Sequence, residues 1–377
     1  MNFNELSLTE PLLKALQDFG YTQPTPVQAK AIPVILSGSD VFGSAQTGTG
    51  KTAAFSLPLL QLLSKHKNSG QISALILAPT RELASQISEN IVAYSKYLPI
   101  KQALIFGGVS QRRQEDALRK RPQIVIATPG RLMDLMQQGI VKLDQVEYLV
   151  LDEADRMLDM GFIRDIRKIV ALMPRRKQTL FFSATVSKEI MKLTETLLKN
   201  PVRIAVSPVS ETSHDVEQSL YYVSKEDKRS LLKQVIKDSA LDQVLVFTRT
   251  KHGADRVVKD LIRDGITSEA IHGNKSQNAR ERALKGFKDR KIRVLVATDI
   301  ASRGIDVEKL GMVINYEIPE QAETYVHRIG RTGRAGNSGK ALSFCDASER
   351  NLVKDIHKLI KKNIPVVNAH PYNKNKQ

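Results

Sequence analysis

A chain of 377 residues is longer than one ordinary hydrophobic core organises, so two domains of roughly 150 to 200 residues each are expected. Hydrophobic residues at 41% against 26% charged place it among globular proteins, and no apolar run of about 18 residues is present to span a bilayer. The single cysteine, Cys345, excludes an internal disulfide, and Met1 to Glu10 lack the features of a secretory signal, which points to a reducing cytoplasm. A net charge of +17 points to a polyanionic partner, nucleic acid foremost.

In chain order, the first chemical signal follows the short segment Asp40 to Ser44. Ala45-Gln46-Thr47-Gly48-Thr49-Gly50-Lys51-Thr52 precedes an apolar helical stretch from Ala53 to Leu63. This is a P-loop with Ala45 where the stricter pattern has glycine. Small residues let backbone N–H groups and a helix start face a β-phosphate, while Lys51 reaches the β and γ oxygens and Thr52 ligates Mg²⁺. A Gly-rich turn without nucleotide is the alternative for an isolated match, and the strand, loop, helix context weighs against it.

Leu75-Ile76-Leu77, Ile124-Val125-Ile126, Tyr148-Leu149-Val150-Leu151 and Leu180-Phe181-Phe182 are continuous apolar runs. They predict strands buried on both faces of a parallel sheet. Helical spacing over Arg81 to Tyr97 and Phe162 to Met173 completes a β-α alternation. The strand from Tyr148 leads directly into Asp152-Glu153-Ala154-Asp155. A carboxylate there suits Asp152 as a Mg²⁺ ligand, direct or through water, and Glu153 can orient an attacking water. A solvated turn is the alternative, but it explains poorly why a buried strand should end on two adjacent carboxylates.

After the polar stretch Ser207 to Ser213, a second series begins with Val244 to Phe247, Val294 to Ala297, Met312 to Asn315 and Ala341 to Phe344. The expected organisation is a nucleotide-binding domain over 1–207, a linker over 208–214, a second α/β domain over 215–360, and a basic flexible tail over 361–377.

Asp152-Glu153-Ala154-Asp155, followed by Ser183-Ala184-Thr185 after the next strand, resembles motifs II and III of the DEAD-box RNA helicases. The other motifs of that family stand in order from residue 3 to about 350. Gly20-Tyr21-Thr22-Gln23-Pro24-Thr25-Pro26-Val27-Gln28, with Phe3 upstream, resembles the adenine-recognising Q motif. The resemblance implies Gln28 and Tyr21 as adenine contacts, Gln23 assisting, and Ala45, Gln46, Thr47, Gly48, Thr49, Gly50, Lys51 and Thr52 around the phosphates. An amide offers adenine both a donor and an acceptor, which favours ATP over GTP. Ala78-Pro79-Thr80-Arg81-Glu82-Leu83, Gly107-Gly108 and Thr128-Pro129-Gly130-Arg131 resemble motifs Ia, GG and Ib, which line the RNA path in the family. Their small residues, hydroxyls, helix-start N–H groups and arginines suit phosphate oxygens, not base edges.

Val246-Phe247-Thr248-Arg249, His272-Gly273 with Gln277 and Arg280, and Ala297 to Asp306 are similar to motifs IV, IVa and V. The resemblance implies RNA contacts for Arg249, Gly273 and Thr298, and a ribose hydroxyl contact for Asp306, placed with the nucleotide residues. His327 to Arg334 resembles motif VI, with Arg331 and Arg334 as arginine-finger candidates expected on one helical face. Asp155, Ser183, Thr185 and His327 are implied as interdomain coupling residues. Lys51, Asp152, Glu153, Arg331 and Arg334 form the expected catalytic set.

The resemblance implies two tandem RecA-like domains, each a mostly parallel sheet flanked by helices, with a nucleotide and RNA cleft between them. It implies RNA-stimulated ATP hydrolysis, using Mg²⁺, that closes the cleft and separates short duplexes locally with little sequence preference. The segment His272 to Gln277 together with the N-terminal half is most similar to the bacterial RhlE-type subgroup. Expected partners are RNA and proteins of ribosome assembly or RNA turnover, around a monomeric cytoplasmic core. Two rivals stand beside this reading: an ATP-gated RNA clamp that does not unwind, and a DNA-translocating helicase, which the Q motif and the Asp-Glu-Ala-Asp signature disfavour.

Overall fold

The computed structural model describes residues 2–45, 49–65, 70–205, 216–299, 310–333 and 339–373. The chain forms two compact units, Met1–Ser207 and Pro208–Gln377. Gln46, Thr47, Gly48, Asp306 and Arg334 lie outside the described residues.

The first unit opens with helices α1 (Glu10–Asp18) and α2 (Pro26–Leu36). The alternation then runs β1 (Val41–Ser44), α3 (Lys51–Ser64), β2 (Ala74–Leu77), α4 (Arg81–Tyr94), β3 (Gln102–Ile105), α5 (Gln111–Arg119), β4 (Ile124–Ala127) and α6 (Pro129–Gln137). It closes with β5 (Tyr148–Leu151), α7 (Ala154–Asp159), α8 (Ile163–Ala171), β6 (Gln178–Ser183), α9 (Lys188–Leu197) and β7 (Val202–Ala205). The strands form one parallel sheet in the order β3-β4-β2-β5-β6-β1-β7. Its apolar runs divide by alternation. Ala74, Ile76, Ile124, Ile126, Val150 and Phe182 pack under α2 to α4, whereas Leu75, Leu77, Val125, Leu149, Leu151 and Phe181 pack under α6, α8 and α9. Both faces are therefore covered, which is why these strands read as unbroken hydrophobic stretches.

The second unit comprises β8 (Val216–Tyr222), α10 (Lys228–Asp238), β9 (Val244–Thr248), α11 (Lys251–Arg263), β10 (Ser268–Ile271), α12 (Gln277–Lys288), β11 (Val294–Thr298) and β12 (Met312–Asn315). Helix α13 (Ala322–Ile329), β13 (Gly339–Cys345) and α14 (Arg350–Ile360) follow. The parallel sheet runs β10-β11-β9-β12-β13-β8. Among the described residues no helix is long and apolar enough to cross a membrane.

The expected flexible tail is corrected over its described part. Beyond Ile360 the chain lies along β8: Leu220 N–H donates to the Pro365 carbonyl at 2.8 Å and Val367 N–H to the Leu220 carbonyl at 2.9 Å. Ile364 is buried, Tyr372 packs against the core and the His370 ring meets Tyr221. Lysines and asparagines mask this docking in the sequence because Ile364 is the one buried residue among the described residues 361–373.

Candidate functional site

In a parallel sheet every strand ends at the same edge, so the loops that follow the strands gather there. Strand order then divides the first unit's loops. The loops after β3, β4 and β2 carry Gly107-Gly108, Thr128 to Arg131 and Pro79 to Arg81. The ends of β5, β6 and β1 and the segments that follow them carry Asp152 to Asp155, Ser183 to Thr185 and the P-loop. Residues expected at RNA and residues expected at nucleotide therefore occupy adjacent halves of one sheet edge.

On the nucleotide half, Gly50 caps α3 with φ 89°, and a Cβ there would fall 2.4 Å from Gln28 Nε2. Glycine is required on both counts. The buried Lys51 ammonium donates to the Ala45 carbonyl at 2.9 Å. Gln28 is buried; its Oε1 accepts from Thr25 N–H at 2.9 Å and its Nε2 donates to the Gly50 carbonyl at 3.1 Å, joining the Q-like segment to the P-loop. A carboxamide has two donor hydrogens and two acceptor lone pairs, so one of each is left after these bonds. Tyr21 is exposed, edge-on to Phe3 and Tyr94, and Gln23 is exposed.

Asp152 is 2% exposed, and its Oδ1 has no hydrogen-bond partner. Burial pushes its carboxyl up to about 6 against the pull of Lys51, with the Glu153 charge adding to the rise. A buried carboxylate oxygen without a donor is costly unless a cation meets it, so the site fits a divalent ion. Glu153 takes left-handed backbone angles, φ 54° and ψ 50°, rare for a residue with a side chain. Its Oε2 accepts from the buried Arg156 guanidinium at 2.8 Å. Asp155 Oδ2 accepts from Ala184 N–H at 3.1 Å, Thr185 N–H at 3.0 Å and the Thr185 hydroxyl at 3.2 Å. Ser183 in turn donates to the Thr185 carbonyl at 2.7 Å. The ends of β5 and β6 are thus tied together.

On the other half, Thr80 caps α4 through its hydroxyl, and Thr128 caps α6 with Pro129 in the first turn. Gly130 is exposed. The Arg81 guanidinium lies against the glycine pair: a Cβ on Gly108, whose φ is 81°, would fall 2.1 Å from Arg81 Nη1. Arg131 is held by Asp134 at 2.8 Å and by Gln111 at 3.1 Å.

In the second unit Arg249 and Gly273 follow β9 and β10 and Thr298 ends β11, three strands adjacent in the sheet. Gly273 is exposed, and Thr298 is buried at the end of β11. Arg249 is engaged by acids: its Nη2 donates to Glu349 at 2.8 Å and its N–H to Glu317 at 2.7 Å. The expectation for motif VI needs correcting. Helix α13 ends at Ile329, Gly330 is its C-cap, and Arg331 lies in the turn beyond it, so no helical face carries Arg331. Gly330 itself has φ −66° and ψ 6°, so the stop does not depend on a left-handed glycine there. His327 is half-buried within α13.

Sequence reasoning passed over Arg328, the neighbour of His327. Its Nε and Nη2 grip Asp299 at 2.6 and 2.8 Å, its Nη1 donates to Asn315 and to the Glu317 carbonyl, and its guanidinium lies over Phe247. This fork ties the residue after Thr298 to the helix before Arg331. Lys228 and Glu349, ion-paired and both buried, were likewise missed. They read as ordinary helix charges because nothing local marks partners so far apart in the chain.

Residues 25–193 match the family model described as DEAD/DEAH box helicase, and residues 227–336 that of the helicase conserved C-terminal domain. The ATP-dependent RNA helicase DeaD of Escherichia coli (strain K12) is 44% identical over 97% of this chain, and the chain spans 58% of its length. The DEAD-box ATP-dependent RNA helicase RhpA of Helicobacter pylori (strain B128) is 40% identical over 99% of this chain and 75% of its own. Among solved structures, S. cerevisiae Dbp5 bound to RNA and ADP BeF3 is 30% identical with a TM-score of 0.87, covering 97% of this chain and 95% of that one. With the motifs set on two parallel α/β sheets in this order, the chain belongs to the DEAD-box family of ATP-dependent RNA helicases.

Proposed function

We propose that this protein is an RNA-stimulated ATPase that separates short RNA duplexes locally. The observation that carries the reading is the strand order, which gathers phosphate-chemistry residues on one half of a sheet edge and backbone-binding residues on the adjacent half. DeaD and RhpA bear the name ATP-dependent RNA helicase, and Dbp5 is seen with RNA and ADP BeF3, which supports the same assignment here.

On this reading Lys51 and the P-loop N–H groups hold the ATP phosphates, while Gln28 and Tyr21 hold adenine. Thr52 and Asp152 hold Mg²⁺, partly through water, and the ion supplies charge neutralisation at the phosphates. Glu153 orients the attacking water; its strained backbone aims the carboxylate off the strand end. Arg331 and Arg334 stabilise charge on the departing phosphoryl group. Asp155, Ser183 and Thr185 transmit the state of the nucleotide from the end of β5 to the end of β6, and His327 is the coupling residue of the second unit. Pro79 to Arg81, Gly107-Gly108 and Thr128 to Arg131, with Arg249, Gly273 and Thr298, take the RNA backbone, and Asp306 a ribose hydroxyl. When both ligands engage both units, each favours the same closed state, so ATP and RNA bind cooperatively. A bent strand in that state excludes a continuous duplex. The RhlE-type subgroup, suggested by His272 to Gln277, a monomeric core, a cytoplasmic location and partners in ribosome assembly or RNA turnover complete the proposal.

The test is steady-state ATP hydrolysis with and without single-stranded RNA, with single-stranded DNA as control. Stimulation by RNA alone is expected; equal rates in all three would overturn the reading. RNA retained after hydrolysis without strand separation would favour the clamp. Nucleotide choice gives a second check. Gln28→Ala should raise the KM for ATP about tenfold while leaving that for GTP unchanged, since a bidentate amide contact contributes about 1–3 kcal/mol of discrimination. Thermal melting of the variant separates this from loss of the helix cap, which costs about 1 kcal/mol.

A further inference from the structure

We propose that Gln114 is a positioning residue for RNA, clamping the backbone of Phe106 so that the Gly107-Gly108 loop and Arg81 hold one geometry. The proposal rests on the RNA-binding reading of the first unit. Gln114 is the buried residue of α5, a helix otherwise made of exposed or half-buried side chains. Its Oε1 accepts from Phe106 N–H at 3.1 Å and its Nε2 donates to the Phe106 carbonyl at 3.2 Å. Phe106 is the first residue past β3, and β3 is an outermost strand of its sheet. With no strand on its outer side, the backbone there lacks the pair of bonds a neighbouring strand would supply. A carboxamide reproduces that pair, donor and acceptor side by side, as no other kind of side chain does at neutral pH.

The clamp sits where the chain most needs one. The next two residues are glycines, which have the widest backbone freedom of any residue. The Arg81 guanidinium packs against both, with a Cβ on Gly107 falling 3.5 Å from its Nη2 and one on Gly108 far closer. A drift at Phe106 therefore displaces the surface on which Arg81 rests. The same helix reaches the third RNA loop, since Gln111 accepts from Arg131 at 3.1 Å. Residues expected at nucleotide hang from β5, β6 and β1, across the sheet from β3. The effect of losing the clamp should therefore fall on RNA and spare ATP.

Gln114→Met keeps the volume and removes both bonds. In the full chain, with poly(U) as the probe, the RNA concentration for half-maximal ATPase stimulation should rise about tenfold, which corresponds to about 1.4 kcal/mol of RNA binding lost when the loop is no longer held. The KM for ATP without RNA should stay at the parent value. On an Arg81→Ala background, Gln114→Met should add nothing further, because it acts through Arg81. Half-saturation unchanged, or a full additional loss on that background, would overturn the proposal. So would an equal loss of the RNA-free rate, which marks general damage. Should Gln114→Met fail to fold, Gln114→Glu retains the bond from Phe106 N–H and is expected to shift half-saturation in the same direction. If the parent protein itself shows no RNA stimulation, the functional reading falls first and the proposal with it.

Discussion

Glu153→Gln is expected to lower kcat for ATP hydrolysis by about 10²- to 10⁴-fold, the range for a group that manages proton and water in the transition state. ATP binding should persist, because Lys51 and the P-loop are untouched. The substitution keeps an oxygen in place for Arg156 but removes the charge, and the buried guanidinium is then left without its counterion. A modest fall in melting temperature is therefore expected alongside the catalytic loss. Single-turnover hydrolysis of prebound ATP separates the two. A kcat near that of the parent would show that the left-handed turn at Glu153 serves packing and not water.

Arg331→Ala should lower kcat by about 10³- to 10⁵-fold, the scale for an arginine that meets the γ-phosphoryl group as it leaves. Arg331→Lys should recover little, since an ammonium lacks the planar fork. The decisive comparison is single-turnover rate against ATP affinity. Affinity lost at constant rate would make Arg331 a ground-state binding residue. Arg331 follows the C-cap of α13, while Arg328 one turn earlier is locked onto Asp299, so the turn that carries Arg331 is fixed at its root. RNA bound near Thr298 could bias that turn through the single peptide link to Asp299.

Much of the fold was legible from local pattern. The strands read from the sequence were β2, β4, β5 and β6 in one sheet and β9, β11, β12 and β13 in the other, all interior and all mostly apolar. The strands it did not reveal include all four edges: β3, β7, β10 and β8. An edge strand keeps one side open to solvent, and β7, with only Ile204 buried among Val202 to Ala205, carries no signal a pattern could detect. The P-loop and the Asp152-Glu153 pair were legible because their chemistry sits on adjacent residues. The grip of Asp155 on Thr185, the fork of Arg328 on Asp299 and the clamp of Gln114 on Phe106 were not, because each joins side chains to partners that only the folded chain places beside them. The helical face expected for Arg331 failed for a simple reason: the helix stops at Ile329, before Arg331 is reached.

The position of β1 has a consequence for how the protein is made. Val41 lies between Leu180 and Val202, so the strand that leads into the P-loop is synthesised first and enclosed last. Until the ribosome has delivered β6 and β7, its backbone N–H and C=O groups have no lateral partner strand, and the nascent chain cannot build a complete nucleotide pocket. Pairings this distant in sequence form slowly and leave apolar surface open to misassembly meanwhile. ATP, which needs the finished pocket, can therefore stabilise the first unit only after its whole length has emerged.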